Sequence, residues 1–263
     1  MQIPPGSEYV AMGSSFAAGP GLRPRSPGAP RASGRSDSNY AHVAAAHLGL
    51  ALNDVTFSGA TTTDILTASA GRSAQIDAVT ARTRLVTLTA GGNDVGYLPA
   101  LTLASLPWPV RDLARFRDRV AAVTDAATTD DRFGALTAGL TTIVSEVQRR
   151  APDARVVLVD YLTILPPDDA SGRGPDVLRR HRGGDLVEWG RGVATRLTET
   201  FASVAAAEGC DLLDVGARSR HHDAWSAEPW TRRFHLTLRG GAPFHPSASG
   251  MAAVAQMLIE RIR

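Results

Sequence analysis

Four short polar segments, far apart in the chain, hold residue types that together can attack a carbonyl and stabilise the charge that results. They are Gly13-Ser14-Ser15, Ser58-Gly59, Gly91-Gly92-Asn93-Asp94 and Phe244-His245. A serine hydroxyl is a weak nucleophile until a base takes its proton, and histidine, which ionises near neutrality, is the usual base. Attack on an ester creates an oxyanion, which needs donors already in place. The main-chain N–H groups of Ser15 and Gly59 can supply two, and the Asn93 amide a third. Glycine at 59 lets the backbone come close to a substrate. His221, His222 and His235 share the late loop with His245 and compete with it for the role of base. His221-His222-Asp223 lacks the spaced third ligand of a metal site. Gly91-Gly92 lacks both glycine patterns of nucleotide binding.

The elements that must position these segments alternate. Apolar or β-branched runs start near Tyr9, Leu52, Leu85, Val156 and Asp211 and read as strands. Helical patterns fall at Asn39–Leu48, Asp64–Ala70, Leu113–Thr124, Arg132–Arg150, Leu186–Ala207 and Ser247–Ile262. Ser38 or Asp37 is placed to cap the first of these, and Gly49 to end it. Pro99, Pro107 and Pro109 break the stretch from Leu98 to Arg119, which reads as an insertion forming a pocket wall or lid. Two loops, Gly19–Ser38 and Leu162–Arg182, are long for structureless connections. Strands alternating with helices give an α/β domain with a parallel sheet, in the order 2-1-3-4-5, with helices on both faces. Right-handed crossovers put every strand's C-terminal end on one side. All four polar segments then converge on one crevice, where such sheets bind ligands.

The 263 residues suffice for one large domain, taken as 1–263 with insertions near 98–125 and 162–184. No apolar run approaches 18 residues, so no stable membrane insertion is expected. The N-terminus shows no signal peptide, and Cys210 is the sole cysteine, expected as a buried inert thiol. Both features point to the cytoplasm, or to secretion if a leader has been removed. The net charge is +2, and the cationic side chains are all arginine, scattered among acids. No basic stripe interleaved with aromatics suggests nucleic acid.

Taken together and in this order, the four segments resemble the blocks of the SGNH hydrolases, the GDSL lipase/esterase family. Gly13-Ser14-Ser15-Phe16-Ala17-Ala18-Gly19 is similar to the first block, with Ser15 at the nucleophile position. Ser58-Gly59-Ala60-Thr61 resembles the second, Gly91-Gly92-Asn93-Asp94 the third, and His245-Pro246-Ser247 through Gly250 the fifth. The resemblance covers essentially the whole chain. It implies a flavodoxin-like three-layer α/β/α sandwich around a five-stranded parallel sheet. It also implies hydrolysis of esters or thioesters through an acyl-enzyme, with no cofactor and no metal.

Two positions depart from the family. Ser14 replaces the usual Asp of Gly-Asp-Ser, and Ala242 stands where Asp-x-x-His would put the third triad member. The expected enzyme is a serine esterase with a Ser15–His245 dyad and an oxyanion hole of Ser15, Gly59 and Asn93. The main-chain carbonyl of Ala242, or of Gly241 beside it, orients the histidine, and the alternatives are carboxylates of Asp214 or Asp223. The substrate is a small-molecule or lipid ester. A phospholipase, lysophospholipase or sugar-ester deacetylase is the alternative within the family. A non-catalytic ligand-binding relative is the alternative outside it.

Overall fold

The computed structural model describes residues 3–69, 71–168, 174–179, 185–236 and 241–263. Five strands form one all-parallel sheet: β1 (Glu8–Gly13), β2 (Ala51–Asp54), β3 (Thr83–Thr89), β4 (Arg155–Val159) and β5 (Asp211–Leu213). Their spatial order is β2-β1-β3-β4-β5, as the alternating pattern predicts. Burial explains the order. Tyr9 to Met12 of β1 and Leu85 to Thr89 of β3 are buried throughout, as inner strands of a parallel sheet must be, while β2 alternates exposed and half-buried residues as an edge.

The described helices are α1 (Ser15–Ala18), α2 (Tyr40–Leu48), α3 (Thr62–Leu66), α4 (Tyr97–Ala104), α5 (Ala114–Thr124), α6 (Ala126–Arg150), α7 (Asp176–Arg179), α8 (Leu186–Glu208), α9 (Val215–Arg218) and α10 (Ala248–Ile262). α2 packs with α10, and α6 packs with α8 and α3. Right-handed crossovers put these two groups on opposite faces of the sheet. α6 buries Leu136, Leu140, Ile143, Val144 and Val147, a stripe at helical spacing. Its start lies earlier than the apolar pattern predicts, because the Asp125 side chain caps it by accepting the Thr128 N–H. α2 is capped by Asn39 rather than by Ser38 or Asp37. α3 is shorter than expected, ending at Leu66, and Ala70 lies outside the described residues.

The stretch from Leu98 is more helical than its prolines suggest. Pro99 sits in the first turn of α4, where its missing N–H has no intrahelical partner to lose. Pro107 and Pro109 fall in the connection between α4 and α5. β5 ends at Leu213 because Asp214 turns to cap α9 through the Ala217 N–H. Of the insertion expected near 162–184, residues 169–173 and 180–184 lie outside the described residues. Cys210 is half-buried, and burial pushes its thiol up to about 11, so it stays protonated near neutrality. No helix among the described residues is long and apolar enough to cross a membrane.

The long Gly19–Ser38 loop is tied down. The Ser36 N–H donates to the Ala18 carbonyl at 3.0 Å, and the Ser33 carbonyl accepts both the Ser58 N–H at 2.9 Å and its hydroxyl at 2.8 Å. The loop thereby fixes the Ser58-Gly59 turn at the end of β2.

Candidate active site

The turn after β1 is set by Gly13, at φ +138°, where a Cβ would lie 2.3 Å from the Thr89 carbonyl oxygen. The buried Gln75 amide holds that glycine from both sides, accepting its N–H at 2.7 Å and donating to its carbonyl at 3.1 Å. α1 starts at Ser15, with Ser14 as its N-cap residue, so the Ser15 N–H is a first-turn donor without an intrahelical acceptor. Ser14 faces inward, buried beside Tyr161. Ser15 instead lines the cavity.

His245 reaches Ser15 from the far end of the chain. Its Nε2 lies 2.7 Å from Ser15 Oγ, and its Nδ1 lies 2.7 Å from the Pro243 carbonyl. Nδ1 therefore carries the proton, donating to that carbonyl, and Nε2 is left to accept from the serine. The expected orienting group, the Ala242 carbonyl, is corrected here to that of Pro243. The Ala242 carbonyl instead accepts the His245 main-chain N–H at 3.4 Å. The reason is the turn between them. Phe244 adopts φ +61°, a left-handed conformation costly for a residue with a side chain, and this folds the Pro243 carbonyl under the imidazole. Complete burial of the Phe244 ring, beside Phe234 at 6.1 Å, offsets that strain.

Carboxylates at this edge are occupied elsewhere. Asp214 caps α9, and Asp223 accepts the Trp225 N–H at 2.7 Å. Asp160, buried at the end of β4, accepts the N–H groups of Val215 and Gly216, and burial pushes it up to about 7. With no carboxylate against it among the described residues, the His245 imidazole is held down to about 4 by burial, opposed only in part by the Pro243 carbonyl. Phe16 packs on it at 5.5 Å. His222, a rival on sequence, is stacked on Trp230 at 4.0 Å and bonded to the Glu228 carbonyl.

The two other turns complete the crevice. Gly59 has φ +83° with no atom near its absent Cβ, so glycine is required there by backbone conformation rather than by space. Its N–H has no internal acceptor among the described residues. Asn93 donates one amide hydrogen to the Ala60 carbonyl at 2.9 Å, which fixes the amide and leaves the other for the cavity. Asp94 ties this turn to α3, accepting the Thr62 N–H at 2.9 Å and its hydroxyl at 2.6 Å. Tyr161 accepts the Gly92 N–H at 2.7 Å, and its ring lies 4.8 Å from that of Phe16. It thus joins the β1 and β3 turns. Tyr161, Gln75 and Pro243 were not legible as site residues. The first follows an apolar strand at the sheet edge, which is a signal of place, and the other two carry none.

Ser15, Gly59, Asn93 and His245 share one cavity of about 450 Å³. Its opposite wall is Leu98, Pro99 and Leu103 of α4 with Phe116 of α5. The arrangement offers a hydroxyl paired with a neutral imidazole, three N–H donors and an apolar surface beside them.

The comparisons agree with that chemistry. Residues 11–253 match the model of the GDSL-like lipase/acylhydrolase family. Lipase 2 of Streptomyces coelicolor is 32% identical, over 97% of this chain and 85% of that protein. The crystal structure of phospholipase A1 from Streptomyces albidoflavus superposes with a TM-score of 0.73 at 25% identity, covering 97% of this chain and 98% of that one. That of the extracellular lipase from Streptomyces rimosus gives 0.70 at 26%, covering 97% and 99%. The chain belongs to the GDSL-like lipase/acylhydrolase family and is a carboxylic ester hydrolase.

Proposed function

We propose that Ser15 is the nucleophile and His245 the general base of an acyl-enzyme mechanism working as a dyad. His245 Nε2 takes the Ser15 proton as Oγ bonds to the carbonyl carbon of the ester. The oxyanion accepts hydrogen bonds from the Ser15 and Gly59 N–H groups and the Asn93 amide. The imidazolium then protonates the leaving alkoxide, and a water attacks the acyl-enzyme by the same route in reverse. The carrying observation is the 2.7 Å bond between Ser15 Oγ and His245 Nε2, facing the apolar wall of one cavity.

That wall supports an acyl chain rather than a sugar as the group held beside the nucleophile. Leu98, Pro99, Leu103 and Phe116 make it mostly apolar, and only Thr102 and Arg119 on these two helices could pair with a hydroxyl. We take 1–263 as one catalytic domain, since a single sheet and one continuous hydrophobic core carry all four turns. The extracellular S. rimosus lipase favours secretion over the cytoplasm for this chain as well.

A series of p-nitrophenyl esters of increasing acyl length tests the reading. kcat/KM should rise from acetate until the wall is filled, and Ser15→Ala should abolish hydrolysis throughout. A preference for acetyl esters would favour the deacetylase alternative, and hydrolysis surviving in Ser15→Ala would remove the mechanism.

A further inference from the structure

Only five large hydrophobic side chains are exposed among the described residues, and three lie within six positions: Trp108, Val110 and Leu113. Trp108 is 71% exposed, the most of any of them. Isolated exposed apolar residues need no explanation, but a tryptophan clustered with two aliphatics does. The cluster occupies the connection between α4 and α5, the two helices that supply the apolar wall of the catalytic cavity. Leu113 caps α5 one turn before Phe116, which lines that cavity, so the surface patch continues into the wall.

Charge accompanies it. Arg111 pairs with Asp112 and Arg117 with Asp118, which leaves Arg115 and Arg119 without a carboxylate among the described residues. Arg115 lies over the Phe116 ring at 4.6 Å, and Arg119 lines the cavity. An exposed tryptophan with aliphatic neighbours and a surplus of arginine is the composition of a segment that settles at a lipid–water boundary and is drawn to anionic headgroups. A protein partner fits less well. Three side chains fall far short of the ~800 Å² per side of a stable interface, whereas a lipid surface demands no matching shape.

We propose that the α4–α5 connection, led by Trp108, Val110 and Leu113, seats the enzyme on the surface of anionic lipid aggregates, with the cavity opening onto the lipid. The inference rests on reading the cavity wall as an acyl site. Docking there shortens the path of an acyl chain from the aggregate to Ser15, because the chain passes from patch to wall without crossing water.

The test uses the full chain with Ser15→Ala, so that the vesicles are not consumed. Co-sedimentation is measured with vesicles of dioleoylphosphatidylglycerol and of dioleoylphosphatidylcholine. The Ser15→Ala protein should partition more strongly to the anionic vesicles. Adding Trp108→Ser and Leu113→Ser should weaken that binding about tenfold or more, as expected for withdrawing large apolar side chains from burial. Arg115→Gln should lower the preference for anionic over neutral vesicles. With Ser15 restored, the Trp108→Ser, Leu113→Ser protein should hydrolyse soluble p-nitrophenyl butyrate at the wild-type rate, which shows that it folds. Absence of binding, or equal binding with and without the patch, overturns the proposal. Self-association lost in the patch variant, with no vesicle binding, would make the patch a contact between copies and also overturn it. Failure of the acyl-site reading would appear separately, as a preference of the wild type for acetyl over longer soluble esters.

Discussion

The Pro243 carbonyl and the Nδ1 of His245 meet at 2.7 Å across a single intervening residue. A catalytic imidazole normally takes its tautomer from a carboxylate brought in from another part of the fold. Here the orienting group and the base belong to one turn, and the carbonyl supplies a dipole without a charge. Asp214→Asn and Asp223→Asn should therefore each cost far less than the ~10⁴ in kcat seen when a triad aspartate is neutralised. Steady-state kinetics on a soluble ester measure this. A loss of ~10³ or more from either, in a folded protein, would install that residue as a third member.

The two adjacent hydroxyls should separate cleanly. Ser15→Ala should remove nearly all turnover, while Ser14→Ala keeps it measurable, because Ser14 is buried against Tyr161 and away from the cavity. Peptide mapping after a fluorophosphonate label reads the same question, and a label on Ser14 would reverse the assignment.

The lowered His245 ionisation predicts an acid-tolerant enzyme. The imidazole must be neutral to accept the Ser15 proton, and burial holds it neutral down to about pH 4. The acid limb of kcat/KM on a soluble neutral ester should fall with an apparent pKa near 4 rather than near the ordinary 6.5. Stability follows the same sign. The unfolded chain takes up this proton first, so this site's contribution is full above about pH 6.5 and is lost as pH falls towards 4. An acid limb near 6.5 would mean that a charge missing from this account faces the ring.

Asn93 should act on rate more than on binding. Its amide is already oriented by the Ala60 carbonyl, so the free N–H costs no reorganisation when charge develops. Asn93→Ala should lower kcat by ~10²–10³ with KM little changed. Near wild-type kcat would take Asn93 out of the oxyanion hole.

Tyr161→Phe tests the strut between the turns. It leaves the Gly92 N–H buried without its acceptor, at a cost of ~1–3 kcal/mol in unfolding free energy by urea titration. It also frees the turn that carries Asn93, so kcat should fall by a larger factor than KM changes. Unaltered stability and kinetics would reduce Tyr161 to a filler of space.

The sheet and most of the site were legible because both rest on local signals. Apolar runs such as Val156-Val157-Leu158-Val159 read as inner strands, three of the polar turns follow strands in chain order, and Phe244-His245 directly precedes the last helix. What escaped depends on non-local geometry. The choice of Pro243 over Ala242 turns on the φ of Phe244, a conformation that residue type argues against. Gln75 clamps Gly13 from 62 positions away, and no spacing announces it. Pro99 misled because a proline's effect depends on whether it falls in a first turn or a helix interior, which periodicity cannot fix to within a residue.

The three N–H donors that face the cavity hang from the ends of three neighbouring strands, β2, β1 and β3. The ruler that spaces them is the ~4.8 Å repeat of main-chain pairing, which no side-chain substitution can stretch. The two main-chain donors, at Ser15 and Gly59, cannot be retuned without disturbing the sheet, whereas Leu103 and Phe116 line the cavity from helices outside it. Labour is thus divided within one cavity: the sheet's backbone spaces the groups that would meet the charge, and two helices outside it shape the room for what the enzyme is fed.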